Sequence, residues 1–256
     1  MALYKKPDYT DDELAVRLWD TEEVKDLLAR RAYYLSDERR REELADLWVQ
    51  KAENKRTASL GSNWGYYVGM ESIAKHYCND YTDIRYARLK AYSDARPDAG
   101  YNNTDLGLGF TCAHTVNTGH VVIAYDGKTA RGLFYDVSQQ TVGKPDGTAD
   151  TDVVIGPVAV DFMKEDGEWK IWHLFYGADH VFRVGEDYGN VPIPRPVEGN
   201  PVAVEFGTPD VAMITYDPDY GWSDHYPAMP DPYDTFSDAT SYGPEGHPKF
   251  EKEVIR

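Results

Sequence analysis

The chain has 256 residues, 41% hydrophobic and 13% aromatic, enough for a packed core in one large domain or two small ones. It carries 27 Lys and Arg against 44 Asp and Glu, a formal charge of −17, which argues against a nucleic acid or an anionic membrane surface as a partner. Its two cysteines, Cys78 and Cys112, suggest no disulfide framework, zinc site or redox pair, and no run reads as a signal peptide or membrane span. A cytoplasmic protein with no cofactor is expected. Taken in chain order, residues 1–20 read as an arm. Thr21 and the acids after it mark a helix start. Val24, Leu27, Leu28, Ala32 and Leu35 keep helical spacing until Ser36-Asp37 breaks it. A second helix runs from Arg39 to Trp48. A short strand follows near Thr57–Leu60, then a loop at Gly61-Ser62-Asn63, then a third helix from Gly69 to about Tyr81.

Beyond a Pro/Gly/Asn-rich loop over 93–109 come strand signals at Ala113–Tyr125, Thr129–Val137, Val153–Met163 and 168–177. Asp126-Gly127 and Asp166-Gly167 supply the turns, because Asp-Gly tolerates the positive φ that tight hairpins need. Helices followed by a run of antiparallel strands predict an α+β domain over 21–185, with helices on one face of a curved sheet. From residue 186 to 256 the texture turns rich in Pro, Asp and Tyr. Its aromatics would be costly to leave in water, so this extension is expected to wrap the domain or a neighbouring subunit.

The hairpin 119–136 has His120 at one end and Asp136 at the other. A clean two-residue turn sets Asn117 opposite Asp136 and points Asp136 to the face opposite His120. Histidine titrates near neutrality and can take and return a proton, and a carboxylate within reach would orient it.

The order "RRAYYLSD", "REELADLW", "GYYVGMESIAKHY", a strand histidine, "DGKTARGLFYD" and "DGEWKIWHLFY" resembles the SnoaL-like branch of the nuclear-transport-factor-two-like superfamily over about residues 20–182. The resemblance implies a cone-shaped α+β barrel, a curved antiparallel sheet under about three helices, with an apolar pocket between them. It implies a homodimer or homotrimer. It places Tyr34 and Asp37 at the pocket from the first helix. Its strand histidine corresponds to His120, or in another register to Asn117 or His114. Asp136 is a pocket acid on the next strand, with Ser138 as the alternative, and His173 follows the tryptophan of the C-terminal strand.

The catalytic candidates are therefore His120, Asp37, Tyr34, His173 and Asp136. Trp64, Tyr66, Tyr67, Phe134, Tyr135, Tyr176 and His180 are candidates to contact substrate, by stacking or by closing the pocket mouth. No metal site is expected, since no ligand motif stands in the sequence. The expected function is a cofactor-independent lyase, a dehydratase or a formaldehyde-releasing enzyme. It would act by general acid/base catalysis on a small hydrophobic, hydroxylated aromatic or polycyclic substrate. A polyketide-type cyclase or isomerase, or a non-catalytic binder of a hydrophobic ligand, is the alternative.

Overall fold

The computed structural model describes residues 8–62, 65–97, 110–186, 209–212 and 227–246. The first helix, α1 (Asp11–Ser36), starts ten residues before the position read from the sequence. Thr10 is its N-cap and forms a capping box with Glu13, a signal present as Thr-Asp-Asp-Glu. Thr21 lies inside the helix and turns its hydroxyl back to the Arg17 carbonyl, 2.8 Å away. Val24, Leu27, Leu28, Arg31 and Leu35 form the buried stripe that packs on the sheet. On the same stripe, one turn before Val24, Asp20 accepts from Trp169 Nε1 (2.9 Å) and pairs with Lys164 (2.6 Å), which clamps the helix to the sheet.

Short helices α2 (Arg40–Asp46) and α3 (Ala52–Thr57) lead into the hairpin β1 (Ser59–Ser62) and β2 (Gly65–Val68). The third expected helix is longer than its apolar spacing suggests. It comprises α4 (Met70–Ile73), a π-helical turn over Ala74–Asp80, and α5 (Tyr81–Asp94).

Four long strands follow: β3 (Phe110–Ile123), β4 (Thr129–Gly143), β5 (Ala149–Glu165) and β6 (Glu168–Tyr176). β4 and β5 extend well past the apolar runs, closing a turn at residues 144–148 where Lys144 N–H donates to the Thr148 carbonyl. With β7 (His180–Arg183) and β8 (Val211–Ala212) they make one eight-stranded sheet, ordered β3-β4-β5-β6-β1-β2-β8, with β7 pairing β5. The sheet is α+β in kind but not wholly antiparallel: β1 pairs with β6 in parallel, Ser59 to His173 through Ser62 to Tyr176. Among the described residues it is a bent, open cone, since β3 and β8 end the order without meeting.

Both faces of the sheet are covered. The helix side holds the main core, including Leu28, Trp48, Ile73, Phe162, Ile171 and Leu174. Each such side chain contributes roughly 1.5–3 kcal/mol on burial. The other face packs Tyr66, Ala159 and Phe175 against Tyr242, carried by residues 227–246. There a polar cluster ties chain to sheet: Ser241 Oγ and Tyr242 N–H both donate to Asp161 Oδ2, at 2.6 and 2.7 Å. The Arg131 guanidinium lies 4.3 Å from the Tyr242 ring centroid. Burial pushes the Asp161 carboxyl up to about 6, against the bonds from Ser241 and the charge of Arg131.

Candidate active site

A single irregularity in the β3–β4 hairpin decides the site. Near the turn, Ile123 pairs with Ala130 and His120 with Leu133, as a two-residue Asp-Gly turn requires. Between His120 and Asn117 the register shifts by one, so Asn117 pairs with Tyr135 and Val116 with Asp136. The extra residue falls at Thr118-Gly119. Thr118 takes a positive φ of 51°, and a Cβ on Gly119 would lie 2.5 Å from the Phe134 ring. Side chains alternate along a strand, so this bulge brings His114 and Asp136 to one face and leaves His120 on the other.

His114 and Asp136 form the titratable core of the site. Nδ1 of His114 lies 2.6 Å from Asp136 Oδ2, and Asp136 is wholly buried. Burial alone would disfavour the charged ring. The hydrogen bonds to Asp136 and Cys112 outweigh that and lift His114 to about 8. The second oxygen of Asp136, Oδ1, is buried without a hydrogen-bond partner.

His114 opens onto a cavity of about 180 Å³ between α1, α2, the π-helical turn and the sheet, lined also by Arg31, Arg40, Tyr67, Tyr77, Gln140 and Tyr176. Arg31 reaches it because it shares the buried stripe of α1 with Leu35. Its Nε donates to Glu43 Oε1 at 3.0 Å, and Glu43, fully buried, also accepts from Trp48 Nε1 (3.1 Å) and the Tyr77 hydroxyl (2.5 Å). Tyr176 shares a 3.1 Å hydrogen bond with Ser138. Burial, with the Asp136 charge behind it, drives the Tyr176 hydroxyl strongly upward, so it stays protonated and able to donate. A wider groove of about 790 Å³ lies between α1 and the β5–β6 turn, lined by Trp19, Glu22, Glu23, Asp26 and Asp46 among others. It holds no comparable paired base.

The expected site residues divide accordingly. Asp136, Tyr67 and Tyr176 stand at the cavity or directly behind it. His120 does not: it is exposed, and its Nε2 lies 3.3 Å from the Pro230 carbonyl oxygen. Asp37 is the exposed C-cap of α1 and does not bond His120, which lies on the face of the sheet away from the helices. Tyr34 donates instead to Asp46 of α2 and lies under Arg39, one position round the helix from the cavity-facing stripe.

His173 faces the opposite side of the sheet. A bulge opposite Asp161/Phe162 turns it there, and it bonds Ser59 Oγ at 2.9 Å with Trp172 and Phe236 against its ring. Burial in that apolar place drops His173 to about 3. Tyr66 is buried on that same outer face, Phe134 is a core side chain on the helix side, and Tyr135 and His180 are exposed. Trp64 lies outside the described residues. The sequence reading missed Arg31, Arg40 and Tyr77. A buried arginine on the apolar stripe of α1 was the available signal, since a charge at a core position requires a partner.

A bent α+β sheet under a helical cover, with a small cavity between them, defines the class of fold. The SnoaL-like domain profile matches residues 16–174, most of the chain, and the protein belongs to that family. No curated protein sequence matches it. Among solved structures it is similar to a hexachlorocyclohexane dehydrochlorinase from Novosphingobium barchaimii LL02, at 14% identity over 69% of this chain and 97% of that one, with a TM-score of 0.44. It is also similar to a nuclear-transport-factor-two-like protein with a cystatin-like fold from Novosphingobium aromaticivorans, at 18% identity over 71% and 94%, with a TM-score of 0.42. Among the described residues no helix is long and apolar enough to cross a membrane, and no three His, Cys, Asp or Glu side chains cluster to hold a metal ion.

Proposed function

We propose that the protein is a cofactor-independent lyase whose base is His114, oriented by Asp136. The 2.6 Å Asp136–His114 contact at the mouth of a cavity is the observation that carries this. A buried carboxylate on one ring nitrogen fixes the tautomer and stabilises the imidazolium formed when the ring takes a proton. Tyr176, protonated and able to donate, assists the leaving oxygen as water or a carbonyl fragment departs. The guanidinium groups of Arg31 and Arg40 offset negative charge that builds on the substrate oxygen in a water-poor site.

A cavity of about 150 Å³ accepts benzene, so about 180 Å³ has room for a single hydroxylated ring. Among the expected substrates this favours monocyclic aromatics.

The test is turnover of monocyclic β-hydroxy carbonyl compounds and hydroxylated aromatics by the full chain, with His114→Gln and Asp136→Asn beside it. Removing a general base is expected to cost about 10²–10⁴-fold in rate, with the circular dichroism spectrum retained. A base must be unprotonated to act, so the wild-type rate should rise with pH through about 8. Turnover by His114→Gln at the wild-type rate rules the base out. Tight binding of such compounds with no turnover at any pH would identify a binding protein instead.

A further inference from the structure

The second ring nitrogen of His114 is not idle. Nε2 lies 3.1 Å from Sγ of Cys112, two residues earlier on the same strand and so on the same face. Thiol, imidazole and buried carboxylate therefore stand in line, Cys112 to His114 to Asp136, with contacts of 3.1 and 2.6 Å. This is the order of nucleophile, base and orienting acid. The charged and titratable groups facing Cys112 come from every packed element: His114 on its own strand, Arg40 of α2, Arg85 of α5 and Tyr176 of β6. Cys112 is half-buried and pairs across the strands with Gln140, which lines the cavity beside His114. The unpartnered Asp136 Oδ1, fully buried behind the ring, leaves that carboxylate with capacity to hold the imidazolium. The other cysteine, Cys78, is buried in the main core, and burial pushes its thiol up to about 11.

We propose that Cys112 is a nucleophile, activated by His114 and Asp136, that adds reversibly to α,β-unsaturated carbonyl compounds. In the step, Nε2 of His114 takes the thiol proton as Sγ bonds to the β-carbon. The π electrons move through the enolate toward the carbonyl oxygen, and the imidazolium returns the proton to the α-carbon. One C–S bond forms, one C=C π bond is lost, and no oxidant or reductant is needed. Unsaturated carbonyls are also what dehydration of a β-hydroxy carbonyl yields, so the nucleophile would stand where the lyase releases its product. The proposal rests on the same dyad as the lyase reading.

The experiment is the rate of alkylation of Cys112 in the full chain by iodoacetamide, followed by peptide mass spectrometry at pH 6–9, with glutathione as the free-thiol reference. Cinnamaldehyde serves as the unsaturated carbonyl probe. At pH 8, where the His114 ring is losing its proton, wild-type Cys112 should react about tenfold or more faster than the free thiol, despite its partial burial. His114→Gln should bring it to or below that reference, and cinnamaldehyde should leave an adduct on Cys112 that dilution reverses. A wild-type rate no greater than the free thiol's, a rate unchanged by His114→Gln, or no cinnamaldehyde adduct overturns the proposal. Should His114→Gln not fold, the wild-type rate and Asp136→Asn decide alone. Fast alkylation without elimination turnover sinks the lyase reading only, and turnover with slow alkylation sinks the nucleophile only.

Discussion

At the scale of single residues, two buried charges set what the site tolerates. Glu43 is fully buried and receives Arg31, Trp48 and Tyr77 together. Glu43→Ala removes the acceptor for all three and leaves the Arg31 guanidinium uncompensated. Breaking such a pair costs about 3–5 kcal/mol, and urea unfolding should show that loss.

His114 and His173 then give opposite pH signatures. The folded state raises His114 to about 8, so its stabilising share is complete below its ordinary value near 6.5 and is lost as pH rises through about 8. It lowers His173 to about 3, so that share is present above about 6.5 and is lost as pH falls toward 3. Replacing His173 with Leu should therefore flatten the fall in urea midpoint between pH 6.5 and 4, where each pH unit costs up to about 1.4 kcal/mol in the wild type. Parallel slopes for the two proteins would contradict the assignment. His173 was legible as an important histidine but not as a structural one, because its face depends on a bulge in β6.

At the scale of elements, the bulge at Thr118-Gly119 is the feature that assembles the dyad. Gly119→Val would press a side chain into the Phe134 ring, 2.5 Å from where its Cβ must stand. Overpacking of this kind costs about 1–3 kcal/mol. It should also lower turnover, because relief by flattening the bulge would return Asp136 to the register of Asn117. A variant with normal stability and normal turnover would show that the bulge positions nothing. The hairpin itself was readable from Asp126-Gly127 between β-branched and aromatic residues. The bulge was not, since a lone glycine in a strand signals a bulge or a close approach without saying which way the register moves. The start of α1 was readable and overlooked: Thr10 and Glu13 carry the capping box in plain spacing.

Across the whole molecule, the sheet is a wall with an occupied room on each side. The helices close the cavity side, and residues 227–246 cover the other, where Asp161, Arg131 and Ser241 interlock. A chain ending at residue 226 would strip Tyr242 from Tyr66 and Phe175 and leave Asp161 and Arg131 with fewer partners. It should melt at a lower temperature and bind an apolar dye such as ANS more strongly. An unchanged melting temperature would mean that this segment adds nothing to the fold. His114 and Asp136 lie on the opposite face, so any loss of turnover in that truncation should track loss of folded protein.

The amino-acid order alone determined the class of protein. Helical stripes, alternating strands and Asp-Gly turns are local patterns, and their succession was enough to expect a helix-covered bent sheet and its family. It also placed a histidine and an aspartate on the β3–β4 hairpin. Which histidine meets which acid was decided only in three dimensions. Side chains on a strand alternate with a period of two, so one inserted residue exchanges the inner and outer sets. A single bulge therefore set His114 beside Asp136 on the inner face, where an unbroken register would have set Asn117 opposite that acid, and a second in β6 carried His173 to the far side of the wall.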